Sequence, residues 1–330
     1  LAISNFDEEE VQRFNFGFIA SSDNHRARPG TGYKEIDRFV TTEANGATNP
    51  DISELLFPME EPVAETLFIA PGDLLNQRMG FDIFEAERQA SFFTTGGLAA
   101  VHSSGRDRQS IWDGMRRKET YGTSGDRILL WFDLVRDDGT IPMGGEVTQS
   151  KNPTFAVKVL GAFEQKPGCP DYSSTQMSQE DIKGICKNEC YNPSDVRKKI
   201  SRIEVIKITP QMYAGENVNN LIQDVWQSFE CPMKGEGCSI TFTDESFESS
   251  ARDASYYVRA IQEPSATINA NNLRCTYNES GECEKVNICH GDFKTPQEDD
   301  CLSTSEERAW SSPIFVNYDA KSLSVAALIK

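Results

Sequence analysis

The chain has 330 residues, 38% of them hydrophobic and 25% charged, which is the composition of a globular protein with enough apolar mass for two ordinary cores. A formal net charge of -18 excludes a general nucleic-acid binder, because phosphate recognition needs a basic surface, and it disfavours anionic membranes. No stretch of about 20 apolar residues is present, so insertion into a membrane by a helix is not expected.

In chain order, the opening six residues run into acidic Asp7 with neither the cationic nor the apolar part of a signal peptide, so the sequence reads as a processed or truncated exported protein. Residues 16–20 form a continuous apolar run that ends in the polar tip Ser21-Ser22-Asp23-Asn24-His25. Such a run predicts a buried strand carrying ligand-type residues at its C-terminal end. From there to about residue 95 prolines and glycines interrupt the text, predicting a long insertion at about 35–95 with at most short helices such as 83–90. Long excursions beside a site commonly shape access to it.

A second buried strand is predicted at 97–101, ending at His102, followed by a helix capped by Asp107. Ile111 and Met115 should form its inward face, and Arg116, Arg117 and Lys118 suit the negative end of its dipole. The first domain is expected to close near residue 125. Beyond it the apolar period becomes that of strands, at 128–135, 155–163, 200–208, 239–243, 256–261 and 313–316. Strands without crossover helices predict an antiparallel β-sandwich, with short helices at 178–186 and 193–199 in its loops.

All nine cysteines lie between Cys169 and Cys301 in polar, turn-rich sequence, the pattern of disulfide-stapled loops in an oxidising compartment. Short spacings suggest Cys231 with Cys238, Cys275 with Cys283 and Cys289 with Cys301. Cys169, Cys186 and Cys190 then compete, and one is left over.

Three histidines are present. In an extended chain residues i and i+2 point to one side, so Asp23 and His25 are positioned to offer a carboxylate and an imidazole to one ion. Arg26, Arg28, Tyr33 and Lys34 follow closely and are candidates for gripping an anionic substrate. His102 and Arg106 are candidates for substrate contact at the same mouth, and Thr123 or Ser124 is a further candidate for lining it. His290 reads as a loop residue, since Cys283, Cys289 and His290 fit no standard zinc spacing.

The stretch FGFIASSDNHRARPG at 16–30 resembles the final metal-binding motif of the PHP (polymerase and histidinol phosphatase) metallohydrolase superfamily, in the branch known as domain of unknown function 3604. The likeness continues through TGGLAAVH at 95–102, IWD at 111–113, RKETYGTSG at 117–125 and PMG at 142–144. It extends to KPGC at 166–169, ECYNPS at 189–194, YYVRAIQEP at 256–264, DCL at 300–302 and ERAWSSPIF at 307–315.

The resemblance implies an α/β plus all-β architecture. Residues 1–125 would be the C-terminal part of a distorted PHP-type barrel, and residues 126–330 an antiparallel β-sandwich with cysteine-rich loops. It further implies a periplasmic or extracellular hydrolase of small anionic esters, phosphoesterase-like, that uses divalent metal ions (zinc, manganese or iron) held in part by Asp23 and His25. The other ligands would come from an upstream N-terminal half of the same protein, so these residues alone would be inactive. The rival expectation is a non-catalytic secreted binding or structural protein built on the sandwich.

Overall fold

The computed structural model describes residues 1–7, 11–21, 34–41, 70, 96–232, 237–268, 274–287, 289 and 295–319. Its main elements are β1 (Leu98–Val101), α1 (Arg108–Arg116), β2 (Thr120–Thr123), β3 (Leu129–Arg136), β4 (Gly139–Pro142), β5 (Glu146–Gln149) and β6 (Thr154–Leu160). They continue with α2 (Gln179–Cys186), β7 (Ile200–Ile208), β8 (Ile222–Glu230), β9 (Gly237–Thr243), β10 (Ala254–Gln262), β11 (Arg308–Ser311) and β12 (Ile314–Tyr318).

Among the described residues these strands make two large sheets. The larger runs β8-β7-β10-β11-β2-β1, with β12 beside the start of β10 and β5 added parallel to β12; the smaller runs β9-β6-β3-β4. Every other pairing within them is antiparallel. Alternation explains why the sheets face each other. Leu130, Phe132 and Leu134 point inward from β3 and meet Phe155, Val157 and Val159 of β6, while Ile203, Val205, Tyr256 and Val258 cover them from the larger sheet. Phe155 sits at the centre, with its ring centroid 4.7 Å from that of Tyr256 and 5.4 Å from that of Phe132.

A polar cluster is admitted to this core. The Tyr256 hydroxyl donates to Asp244 at 2.6 Å, and Lys207 Nζ lies 2.5 Å from the same carboxylate. Burial pushes the Asp244 carboxyl up, but the bonds from Lys207, Ser246 and Tyr256 together outweigh it and hold it below the usual aspartate range.

Several expectations change. The molecule is mostly β, and no barrel closes among the described residues. β1, expected to belong to the barrel part, pairs antiparallel with β2, and β2 continues through β11 into the sandwich sheet. Described residues on either side of position 125 therefore share one sheet. Residues 16–20, expected to be a buried strand, form no strand, and Phe16 and Ile19 are exposed. Residues Pro193–Arg197 pair with Phe163–Gln165 as a two-stranded ribbon and not as a helix, because Phe163 and Gln165 offer a strand edge there.

Helix α1 forms where expected, with the Asp107 side chain accepting from Ser110 N, but Ile111, Trp112 and Met115 face outward. Its packed side is Gly114, where an added Cβ would stand 2.5 Å from His102 O, so backbone approach and not an apolar stripe seats the helix. The predicted helix at 83–90 lies outside the described residues. Cys231–Cys238, Cys275–Cys283 and Cys289–Cys301 are paired as their spacing suggested.

Candidate functional site

Residues 16–21 lie along β2. Phe18 N donates to Ser312 Oγ at 2.8 Å, and Thr120 Oγ1 donates to Phe18 O at 2.9 Å. Glycines make this approach possible: a Cβ on Gly122 would stand 2.8 Å from Ala20 Cβ, and one on Gly97 would stand 2.7 Å from Ser21 O. The segment therefore runs level with Thr120 at Phe18 and reaches the start of β1 at Ser21, two residues before Asp23.

At that end of the sheet several chain segments converge on a polar junction. Glu307, 4% exposed, accepts from Ser124 Oγ and from Thr267 Oγ1 at 3.3 Å. Lys198 Nζ reaches Asp126 at 2.8 Å, Glu35 at 3.1 Å and Ser265 Oγ at 3.4 Å. Gln262 Nε2 donates to Asp126 at 2.5 Å and Gln262 Oε1 accepts from Ala162 N at 2.7 Å.

Burial, with the negative charge of Asp126 adding to it, pushes the Glu307 carboxyl up to about 7; the Ser124 hydroxyl, the Lys198 ammonium and the Thr267 hydroxyl act in the other direction. Burial also works against the Lys198 ammonium, yet Asp126 and Glu35 outweigh it and hold it above the ordinary lysine range. The result is a carboxyl that exchanges a proton near neutral pH beside a permanently charged lysine, the combination from which general acids and bases are built.

Asp23, His25, Arg26, Arg28 and Tyr33 lie outside the described residues, as does His290. Their flanks do not: Ser21 is packed against Gly97, and Glu35 is tied to Lys198. Lys34, expected to touch substrate, is instead fully buried, with Nζ 2.7 Å from both Glu189 Oε2 and Gly168 O. Its ammonium anchors the cysteine-bearing loop, because a buried cation requires a carboxylate and acceptors.

His102 also departs from expectation. β1 runs opposite to residues 16–21, so His102 is at the far end of β1 from Ser21, five residues or about 17 Å of strand away. Its Nε2 lies 2.8 Å from Leu130 O and its ring packs on Tyr121 and Trp131. There it faces Asp133, whose carboxyl burial pushes up and His102 pulls down. Arg106 is exposed in the turn before α1, at that same far end. Of the residues expected at the mouth, Ser124 is at the junction and His102 and Arg106 are not.

Sequence reasoning passed over Glu307, Asp126, Lys198 and Gln262, which are far apart in the chain. Ser124 and Glu307 both fell within the resembling stretches, a signal that no spacing rule converts into contact.

Among the described residues, two groups of ligand-type side chains converge closely enough to hold an ion: Cys169, Cys186 and Cys190, and Cys289, Asp299 and Cys301. Neither is a mixed histidine and carboxylate set. No helix among the described residues is long and apolar enough to cross a membrane.

Fold and junction together define a disulfide-bearing, mostly β protein built on two large sheets, with a buried acid–lysine cluster at one end of the larger. A family model described as "Protein of unknown function (DUF3604)" matches residues 3–318, and the chain belongs to that family. The match takes in nearly the entire chain and carries no link to the PHP superfamily. No curated protein and no solved structure matches.

Proposed function

We propose that the protein is an exported, metal-dependent hydrolase of small anionic esters, phosphoesterase-like, working at the Ser21 end of the larger sheet. The observation that carries this reading is that the ends of the stretch bearing Asp23 and His25 converge there. Ser21 abuts Gly97, next to Ser124, and Glu35 is bonded to Lys198, next to Asp126 and Glu307. The relation to PHP metallohydrolases and their barrel enters through the motif at 16–30 and belongs to the same proposal.

Asp23 and His25 would hold the ion, and the acidic lining of Glu35, Asp126 and Glu307 is suited to a neighbouring cation. A bound divalent ion supplies Lewis-acid polarisation of the ester oxygen. Arg26, Arg28 and Tyr33 would orient the anionic group, and Glu307 would hold a proton near neutral pH for the leaving group. Further ligands are proposed to come from upstream sequence. The several disulfides support a periplasmic or extracellular setting.

The test is metal content, by elemental analysis, together with hydrolysis of an aryl phosphate, for the full-length protein including the upstream sequence and for its double variant Asp23→Ala, His25→Ala. Loss of metal and at least a hundredfold loss of hydrolysis are expected; undiminished metal in the variant would refute the proposal. A second reading, a non-catalytic binding protein, is favoured by the outward Trp112, Met115 and Ile111 of α1, which form an apolar strip suited to a partner. It requires that the same variant behave as the parent in both assays.

A further inference from the structure

The nine cysteines cannot all be paired, and the structure locates the surplus. The Sγ atoms of Cys169, Cys186 and Cys190 all lie within 4.8 Å of one another, with Cys169 and Cys186 3.6 Å apart, so Cys190 can pair with either of the other two. A sulfur forms one disulfide at a time, so two arrangements compete for Cys190 and each leaves one thiol.

The two thiols differ in surroundings. Cys186 closes α2 and is buried, its Sγ donating to Ile182 O at 3.3 Å, which is the contact of a protected thiol. Cys169 is only half-buried and lies in the loop next to Gly168.

We propose that Cys169, Cys186 and Cys190 are an exchanging thiol–disulfide triad, and that its displaced Cys169 thiol is a site of modification by small disulfides. The thiolate of Cys186 attacks Cys190 Sγ; the Cys186–Cys190 bond forms, the Cys169–Cys190 bond breaks, and the electron pair leaves on Cys169 as a thiolate. The proton lost by Cys186 is taken up by solvent, and nothing is oxidised overall. Exchange thus carries reactivity from a buried position to an accessible one. Cys169 in turn attacks a small disulfide R–S–S–R, forming Cys169–S–S–R and releasing R–S⁻.

The triad is wired to the candidate site. Gly168, beside Cys169, accepts from Lys34 Nζ at 2.7 Å and donates its N–H to Glu189 at 2.8 Å; Glu189 itself precedes Cys190. Rearranging the bond at Cys190 acts directly on the ion pair that fixes Lys34, next to Glu35 of the junction. The inference does not depend on metal binding or on hydrolysis.

The experiment treats the native chain, expressed with its disulfides intact, with oxidised glutathione, quenches it in acid with a maleimide, and maps the unreduced peptides by mass spectrometry. One glutathione per chain on Cys169 is expected, together with both Cys169–Cys190 and Cys186–Cys190 cross-links in untreated protein. Cys186→Ala, which leaves Cys169 and Cys190 bonded, should lower incorporation at least tenfold. The untreated wild-type map decides the matter even if that variant fails to fold. A single cross-link with one invariant thiol, a third cysteine bonded to another chain, or a zinc ion retained by three unmodified thiols would each overturn the proposal.

Discussion

Glu307 shows how a single buried acid couples folding to pH. In the unfolded chain it titrates at the ordinary value of 4.5, whereas burial and the nearby Asp126 raise it to about 7 in the fold. The folded form therefore keeps its proton where the unfolded form has lost it. The corresponding stability is fully present below about pH 4.5 and declines as pH rises through about 7, by at most about 3 kcal/mol. Glu307→Gln, which cannot ionise, should remove this decline. Urea midpoints at pH 5 and pH 8 would then lie closer together in the variant than in the parent, and an equal spacing would show that Glu307 is not the group responsible. Asp244 has the opposite sign: its folded value is depressed, so its contribution is lost as pH falls through that value.

Among the elements, β2 has the strictest steric demands. It is covered by residues 16–21 on one face, joined to β11 and β1 at its edges, and buried throughout. Gly122→Ala puts a methyl group 2.8 Å from Ala20 Cβ and 3.0 Å from Ala20 N, a backbone atom that must move. We expect about 1–3 kcal/mol of destabilisation and faster proteolytic cleavage within residues 16–21; unchanged cleavage would mean that the segment is not held by this contact. The apolar pattern of α1 was legible, but its inward face was misjudged because hydrophobic spacing cannot distinguish a core partner from a surface strip. In α1 a glycine and a cap, not leucine-like side chains, determine the seat.

On the scale of the molecule, the sandwich is closed at one side by a covalent clasp. β8 is the edge of the larger sheet and β9 the edge of the smaller, and Cys231–Cys238 joins them across a separation of seven residues. Loop-closure entropy for so short a loop gives about 2.5 kcal/mol. Replacing both cysteines with alanine should lower the unfolding free energy by that amount, measured by urea denaturation; a midpoint equal to the parent's would show that packing of Phe229 and Phe242 alone holds the edges together.

What could be read along the chain was local and periodic: alternating strands such as Ala156-Val157-Lys158-Val159, the Asp107 cap, short cysteine spacings and an acidic, disulfide-bearing character. These depend on neighbours within a few residues, where side-chain direction follows from backbone period. Pairing direction and long-range contact do not. That β1 runs against residues 16–21 separates His102 from the motif's end, and that Ser124, Asp126, Lys198, Gln262 and Glu307 meet at one point depends on sheet order. Only the tertiary structure decides these, because hydrogen bonds between strands are made across loops of any length, and a buried charge finds its partners in space and not in sequence.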